Sequence, residues 1–163
     1  MPETTMAKNK KKKSKKARKT KPRYTAVTAD RHVLYGLSVQ NVEAEIDFVD
    51  ATYKELRGRH AESLREDFCG TANTAAEWVK RRKTNSAIGL DIDTETVEWG
   101  RKNNIEPMTS EQQARVTLLE QDVMQPPAEA KGMDIILAMN FSYWLFQTRP
   151  LMIEYFTKVR ESL

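Results

Sequence analysis

The chain has only one cysteine, six glycines and six prolines in 163 residues, and it has no long apolar run. A single cysteine excludes a disulfide within the chain. Without about 18 consecutive apolar residues, the sequence does not predict a membrane-spanning helix. No apolar segment follows the N-terminal charges, as it would in a secretory signal. We therefore expect a soluble protein of a reducing compartment, the cytoplasm, with no membrane partner and, from its length, one modest core.

Positive charge is concentrated near the N-terminus. Residues 8–23 hold eleven of the 27 Lys and Arg residues and no acid, whereas the 16 basic and 22 acidic residues after position 23 give a net charge of −6. Because residues 1–23 have almost nothing apolar to bury, we predict a disordered basic tail there. Such a tail is typical of a solvated arm. The alternatives are nuclear localisation or contact with RNA or another acidic partner, although the tail has no aromatic residues for base stacking.

Apolar spacing predicts the helices. Steps of three and four residues indicate an amphipathic helix over residues 38–59, within an N-terminal helical segment at 24–62. Ser38 is the expected N-cap of this helix and Gly58 its expected stop. Composition and apolar stripes predict further helices at residues 71–83, 93–104 and 149–163.

Short extended or apolar runs predict four strands, at residues 62–68, 86–93, 114–122 and 132–140. Strands that alternate with helices indicate a parallel sheet built from right-handed βαβ units. The expected fold class is therefore α/β, with N-terminal helices before a Rossmann-like half domain at residues 63–163.

The stretch Cys69-Gly70-Thr71 falls between the first predicted strand and its helix. Ligands of open parallel sheets bind beyond the carboxyl ends of the strands, and a glycine there permits a sharp turn with exposed main-chain N–H groups. Asp91 follows 21 residues later, at the end of the second strand, where a carboxylate can accept hydrogen bonds from both hydroxyls of a ribose. The spacing indicates a nucleoside ligand. NAD and FAD are disfavoured, because their pyrophosphate calls for three glycines in a G-x-G-x-x-G pattern.

Four stretches, in order, resemble the motifs of class I S-adenosylmethionine-dependent methyltransferases: REDFCGTAN, AIGLDID, LLEQDV and DIILAMNFSYW. Residues 30–40 resemble the DRH-LY-SVQ opening of a largely uncharacterised bacterial group of that family. The resemblance covers about residues 29–163 and implies a methyltransferase that uses S-adenosyl-L-methionine. That family has seven strands where four are predicted here. We therefore expect either that the sequence is a fragment or that partner proteins complete the edge of its sheet. Whether the chain alone is active stays open.

The resemblance also implies the contacts of the cofactor. Glu66 corresponds to the acid that contacts the methionine amino group, with Asp67 as the alternative, or Glu66 is only a structural acid at the strand end. The family's outer glycines are replaced by Phe68 and Ala72, which leaves the geometry of the turn open. The remaining implied contacts are Cys69, Gly70 and Thr71 beneath the cofactor, Asp91 on the ribose, Ile92 and Val123 on the adenine faces, Asp122 on its exocyclic amine, and Asn140 beside the methyl group.

Asn140 and Tyr143 are the candidate catalytic residues. They lie in a segment that loosely resembles the Asn-Pro-Pro-Tyr loop of methyltransferases that modify planar amino groups, although Phe141 and Ser142 replace both prolines. A sulfonium activates its own methyl group, so positioning matters more than covalent help, but an amine acceptor needs a proton acceptor. The methyl acceptor itself is not predicted. The alternative function is a non-catalytic protein that binds a nucleoside, or RNA through the basic tail.

Other residues have structural interpretations. We expect Cys69 to pack rather than to act as a nucleophile, because no histidine lies near it in the sequence. Asp93 is expected to cap the next helix, with a cofactor contact as the alternative. Trp78 and Trp99 are expected in the core, and Phe141 and Trp144 are expected either to contact the acceptor or to pack their loop onto the sheet. No residue is assigned to a metal ion.

Overall fold

The computed structural model describes residues 24–163, so the predicted tail at residues 1–23 and its proposed partners lie outside the described residues. The described helices are Arg31–Val39 (α1), Val42–Arg57 (α2), Asn73–Arg81 (α3), Thr94–Gly100 (α4), Ser110–Gln113 (α5) and Arg149–Glu161 (α6). The strands are Ser63–Asp67 (β1), Ser86–Asp91 (β2), Val116–Glu120 (β3) and Ile135–Leu137 (β4). Over this range no helix has the length and apolar character to cross a membrane.

All four strands are parallel and lie in the order β3-β2-β1-β4. Leu64 of β1 is in register with Ala87 of β2 on one side and with Ile135 of β4 on the other. The chain moves outward from β1 to β3 and then returns to place β4 on the opposite side of β1. This reversal creates a crevice at the carboxyl ends of β1 and β4, where ligands of such sheets bind. The predicted α/β fold with a partial, four-stranded parallel sheet is confirmed.

The helix predicted over residues 38–59 begins later, as α2 at Val42, and a separate helix, α1, precedes it. Ser38 lies inside α1, where its hydroxyl donates to the carbonyl oxygen of Leu34, so its expected role as an N-cap is wrong. Gln40 is extended and separates α1 from α2. The predicted stop at Gly58 is confirmed, since this residue is left-handed and its N–H donates to the carbonyl oxygen of Lys54. Asp30 is a sequence signal for the start of α1, because its carboxylate caps the helix by accepting from the N–H groups of His32 and Val33.

Apolar side chains form one cluster on each face of the sheet. The larger cluster includes Ala87 and Leu118 and packs beneath α2 and α3, whereas Leu90 belongs to the second cluster, with Tyr155 of α6. Alternate residues of a strand point to opposite faces, so the central run of β2 and β3 contributes to both clusters, while β1 and β4 contribute to the larger one.

The two tryptophans of the α3 and α4 region differ in their surroundings. Trp78 is fully buried, and its indole N–H reaches the carbonyl oxygens of Glu62 and Ser86 at the starts of β1 and β2. Trp99 is half-buried instead, stacks on His32 with ring centroids 4.9 Å apart, and donates to Asp30. The expected core position is therefore confirmed for Trp78 and wrong for Trp99, whose role is to hold α1 against α4.

Candidate functional site

The turn between β1 and α3 runs from Phe68 to Ala72 and contains three left-handed residues. The φ angles are 58° at Phe68, 52° at Gly70 and 55° at Ala72. These are the three positions at which the family pattern has glycine, so the backbone keeps the path that the glycines would favour. A residue with a Cβ is less stable in this conformation by about 1–2 kcal/mol. Phe68 and Ala72 therefore add strain to the turn without changing its course.

Tertiary packing holds the two strained residues. The ring of Phe68 lies 6.0 Å, centroid to centroid, from the rings of both Phe146 and Tyr155 in the second apolar cluster. Ala72 is fully buried, and its N–H donates to the carbonyl oxygen of Cys69 at 2.8 Å. The bulk of Phe68 is therefore accommodated in the second apolar cluster, between α6 and the segment that follows β4.

The turn is also braced from α4. Gly100 lies so close to Thr71 that a Cβ added to it would sit 2.6 Å from the carbonyl carbon of Thr71. Asn104, in the π-helical turn Arg101–Ile105 that extends α4, donates from its side-chain amide to the carbonyl oxygen of Thr71 at 2.8 Å. Sequence reasoning missed both residues. The one available signal was a glycine inside a helical pattern, which marks a close approach.

Replacing Gly100 with alanine is expected to destabilise the protein by about 1–3 kcal/mol, because the new methyl group overlaps the main chain of Thr71. The matched control is Gly36→Ala in α1, where the added Cβ meets only the side chain of Gln40 at an ordinary 3.6 Å. That control should be neutral or slightly stabilising. Urea unfolding of both variants checks this, and equal midpoints for the two would contradict the close approach.

Asp91 joins the end of β2 to the turn. One carboxylate oxygen accepts from the N–H of Gly70 at 2.8 Å, and the other accepts from the N–H of Asp93 at 3.0 Å. Because each oxygen has two lone pairs, both retain an acceptor site for a ligand. Asp93 itself caps α4 by accepting from the N–H of Thr96, which confirms its expected structural role.

The two carboxylates at the end of β1 lie on opposite faces of the sheet. Glu66 faces α3, where it accepts from the N–H of Ala75 at 3.1 Å, and burial raises the pKa of Glu66 to about 8. Asp67 faces α6 and is fully buried in an ion pair with Arg65 (2.8 Å) and a hydrogen bond from the Tyr155 hydroxyl (2.9 Å). Asp67 is thus already paired, beside Tyr155 of the second apolar cluster, whereas Glu66 has no cationic partner and stays the candidate ligand contact.

Cys69 is a packing residue, as expected. Its side chain is 3% exposed, and burial raises the pKa of its thiol well above the ordinary value, so the thiol stays protonated. A Cβ on Gly89 would lie 2.8 Å from the sulfur of Cys69, which shows why β2 has a glycine opposite the turn.

The predicted adenine contacts differ in exposure. Ile92 is 75% exposed directly after β2 and offers an open apolar surface. Val123 is 4% exposed, with its side chain in the second apolar cluster. Asp122 is exposed, and its carboxylate accepts from the N–H of Met124 in its own loop at 2.8 Å. Of the three side chains, those of Ile92 and Asp122 are open to solvent, while that of Val123 supports the loop from below.

The segment after β4 has strain of its own. Asn140 and Phe141 are consecutive left-handed residues, with φ angles of 55° and 60°. Strain of this kind is concentrated at functional sites. Asparagine tolerates the left-handed conformation, but no pattern in the sequence predicts it at Phe141. Tyr143 is half-buried, with its ring 5.8 Å from that of Phe156. Phe141 and Trp144 stack on each other with centroids 5.2 Å apart and are 66% and 65% exposed, so the expectation that they pack the loop onto the sheet is wrong.

Helix α1, which contains most of the DRH-LY-SVQ segment, lies beside the turn. A cavity of about 280 Å³ separates them, and Gln40 at its edge accepts a hydrogen bond from the side chain of Asn73 at 3.3 Å.

A cavity of about 540 Å³ lies at the far end of the sheet, around Arg59 and Asp134. Asp134 there already accepts hydrogen bonds from Arg59 and Tyr53, which gives this carboxylate a structural role. The described residues contain no cluster of metal ligands.

Comparison with known proteins relates this geometry to solved structures. No family model and no curated protein matches the sequence. The plantazolicin methyltransferase BpumL, solved with S-adenosylhomocysteine and a desmethylplantazolicin analogue, is 18% identical with a TM-score of 0.64, over 81% of this chain and 47% of its own. CalS10, an amino pentose methyltransferase from Micromonospora echinaspora solved with bound S-adenosylmethionine, is 15% identical with a TM-score of 0.65, over 88% and 54%.

A third structure, the sugar N-methyltransferase KedS8 from a Streptoalloteichus species, is 16% identical with a TM-score of 0.63, over 91% of this chain and 55% of its own. The chain thus spans about half the length of each of these three proteins. Together with the strand order and the turn after β1, the likeness shows that this chain has the fold of class I S-adenosylmethionine-dependent methyltransferases, with a partial sheet.

Proposed function

We propose that this chain binds S-adenosyl-L-methionine at the carboxyl ends of β1 and β2 and serves methyl transfer to an acceptor still to be identified. The observation that carries the proposal is the hydrogen bond between Asp91 and the N–H of Gly70. It places a carboxylate with free acceptor sites directly against a left-handed turn. Similar folds in BpumL and CalS10 were solved with S-adenosylhomocysteine or S-adenosylmethionine.

The residues present fit this cofactor. Asp91 has acceptor capacity for two ribose hydroxyls, and the exposed side chain of Ile92 next to it suits an adenine face. Glu66 is a buried carboxyl at the end of β1, where a ligand ammonium would stabilise its ionised form. Asp122 and Val123 follow β3 and are the candidates for the other side of the adenine, Val123 through its main chain.

When bound, S-adenosylmethionine supplies a methyl group that its sulfonium already activates. The chain then contributes position and exclusion of water. Asn140 and Tyr143 are the candidates for acceptor contact, since they follow β4 on the other side of the crevice. The side-chain carbonyl of Asn140 can accept from an N–H or O–H of the acceptor and orient it. The strained backbone at Asn140 supports a role in positioning.

Calorimetric titration of the chain with S-adenosylmethionine, S-adenosylhomocysteine and NAD tests the proposal. We expect micromolar dissociation constants for the first two, about −8 kcal/mol of binding free energy, and no binding of NAD. Comparable binding of NAD, or no binding of any of the three by the folded chain, would contradict it. Cofactor affinity without transfer to any acceptor would favour the non-catalytic alternative.

A further inference from the structure

Phe68 is the residue at which the turn after β1 departs most from the glycine pattern. Its backbone is left-handed, with a φ angle of 58°, although a Cβ makes this conformation less stable. Glycine would follow the same backbone path without that strain. Ala72, the other residue in place of a glycine, adds only a methyl group. The aromatic ring of Phe68 is therefore the new element of the turn, and its contacts show what it provides.

The ring of Phe68 joins the turn to the segment that follows β4. Its centroid lies 6.0 Å from that of Phe146, which comes directly after the short 3-10 helix Ser142–Leu145. Both rings also lie beside Tyr155 of α6, at 6.0 Å for Phe68 and 5.0 Å for Phe146. Aromatic pairs attract each other at separations of about 4.5–7 Å. Phe68, Phe146 and Tyr155 thus form one cluster, here called the aromatic triad.

Hydrogen bonds fix Tyr155 to the end of β1. Its hydroxyl donates to a carboxylate oxygen of Asp67 at 2.9 Å. The guanidinium of Arg65 in turn donates to both oxygens of that carboxylate, at 2.8 and 3.1 Å. All three side chains are buried, and a fully hydrogen-bonded network of this kind is rigid. Tyr155 is therefore a fixed support, and a displacement of Phe68 is passed to Phe146.

The acceptor segment, residues 140–146, contains both residues proposed to contact the methyl acceptor. Asn140 begins the segment, and Tyr143 lies in its middle. The N–H of Phe146 donates to the carbonyl oxygen of Tyr143 at 3.1 Å, so this bond closes a single turn within the segment. Segments held by local bonds open at a low cost in free energy. The contact of Phe146 with the aromatic triad therefore has a large share in holding the acceptor segment in place.

We propose that Phe68 is a positioning residue, whose ring orders the acceptor segment through Phe146 when a nucleoside ligand binds at the turn. The proposal rests on the proposed function, because it requires the ligand to bind there. A ligand in contact with the N–H groups of the turn restricts the backbone that carries Phe68. The acceptor then meets a segment that is already ordered, and so binds more tightly after the cofactor than before it. By linkage, the acceptor strengthens cofactor binding by the same factor.

Hydrogen exchange of the full chain, with and without S-adenosylhomocysteine, tests the proposal. Saturating ligand should slow exchange at the amides of Trp144 and Phe146 by about tenfold or more in the unmodified chain. Phe68→Gly preserves the left-handed path of the turn. Its affinity for the ligand should therefore stay within about threefold of the original, whereas the slowing at both amides should disappear. Phe68→Tyr, which retains a ring, should restore the slowing.

Ala72→Gly is the matched control. It introduces glycine at the other left-handed residue of the turn and leaves the aromatic triad intact, so the slowing should persist. Phe146→Ala breaks the same contact from the opposite side without altering the turn. It should bind S-adenosylhomocysteine normally and lose the slowing at Trp144. This second variant keeps the proposal testable if Phe68→Gly fails to fold, which circular dichroism detects.

Three results would overturn the proposal. The first is a bound ligand that leaves exchange of the acceptor segment unchanged in the unmodified chain. The second is slowing that persists in Phe68→Gly or Phe146→Ala, which would show that the ligand orders the segment directly. The third is loss of slowing in Ala72→Gly, which would attribute the effect to a flexible turn rather than to the ring. Calorimetry on the same samples distinguishes these results from failure of the proposed function, in which S-adenosylhomocysteine does not bind at all.

Discussion

The Asp91→Asn chain is expected to bind S-adenosylhomocysteine at least tenfold more weakly than the unmodified chain. A hydrogen bond to a charged group contributes about 1.5–3 kcal/mol, and about 1.4 kcal/mol corresponds to tenfold in affinity. Asparagine keeps one acceptor oxygen and so loses the charge and one of the two ribose contacts proposed for Asp91. It also weakens the bond from the Gly70 N–H, which holds the turn against β2. Both effects lower the affinity, and calorimetric titration measures their sum.

Asp93→Asn is the matched control for this substitution. Asp93 is two residues away and has the same charge, but its carboxylate caps α4 by accepting from Thr96. Asparagine is also a good N-cap, so both affinity and stability should change little. If Asp91→Asn retains full affinity while its fold is intact, Asp91 does not contact the ligand. If Asp93→Asn loses affinity as well, the charge of the whole loop, rather than the Asp91 site, controls binding.

The second large effect concerns the stability of the free protein at different pH values. Glu66 has a folded-state pKa of about 8, raised by burial, whereas a carboxyl of this kind in an unfolded chain has a pKa near 4.5. Between these values the folded state holds one proton more than the unfolded state. The contribution of Glu66 to the free energy of unfolding therefore decreases as the pH rises from 4.5 to 8, by up to ~1.4 kcal/mol per pH unit.

The Glu66→Gln variant lacks this titration and can still accept from the N–H of Ala75. Relative to the unmodified chain, it should gain stability steadily across that pH range, reaching a few kcal/mol at pH 8. Urea unfolding at a series of pH values measures the difference, in which the titrations of all other groups cancel. Parallel stability curves for the two proteins would contradict a buried, protonated Glu66.

The same protonation links Glu66 to ligand binding. A ligand ammonium beside Glu66 would favour its ionised form, so binding near neutral pH should release a proton that the Glu66→Gln variant does not release. Calorimetry in buffers of different ionisation enthalpy separates this proton from the rest of the binding heat. The burial of Glu66 thus makes its predicted contact measurable.

Local patterns in the sequence were sufficient to predict the parallel sheet and to place Gly70 and Asp91 in the same crevice. Both follow from the order of strands and helices, because residues at the ends of neighbouring parallel strands must lie close together. The left-handed conformations of Phe68 and Ala72 were not predictable in this way, since most residues with a Cβ avoid them. They are maintained by packing against α6 and within the core, which are contacts between distant segments.

The other differences have the same physical origin. Gly100 faces Thr71 only because α4 lies against the turn, and no helical pattern reveals that distance. Trp99 has apolar neighbours in the sequence, but the surface it packs against is α1, which covers only half of it. The helix predicted from Ser38 begins only at Val42, because Ser38 belongs to α1 and Gln40 is extended between the two helices. In each case the sequence indicates an element correctly, and a neighbouring element determines its detailed geometry.

Amide chemical shifts of the isotopically labelled chain, recorded as S-adenosylhomocysteine is added, locate the nucleoside site residue by residue. We expect saturable shifts at Gly70 and Thr71 in the turn and at Ile92 after β2, with none at the exposed residues Phe48 and Leu56 of α2. Shifts confined to α2, or no shifts from a folded protein, would show that the carboxyl ends of β1 and β2 do not form the nucleoside site.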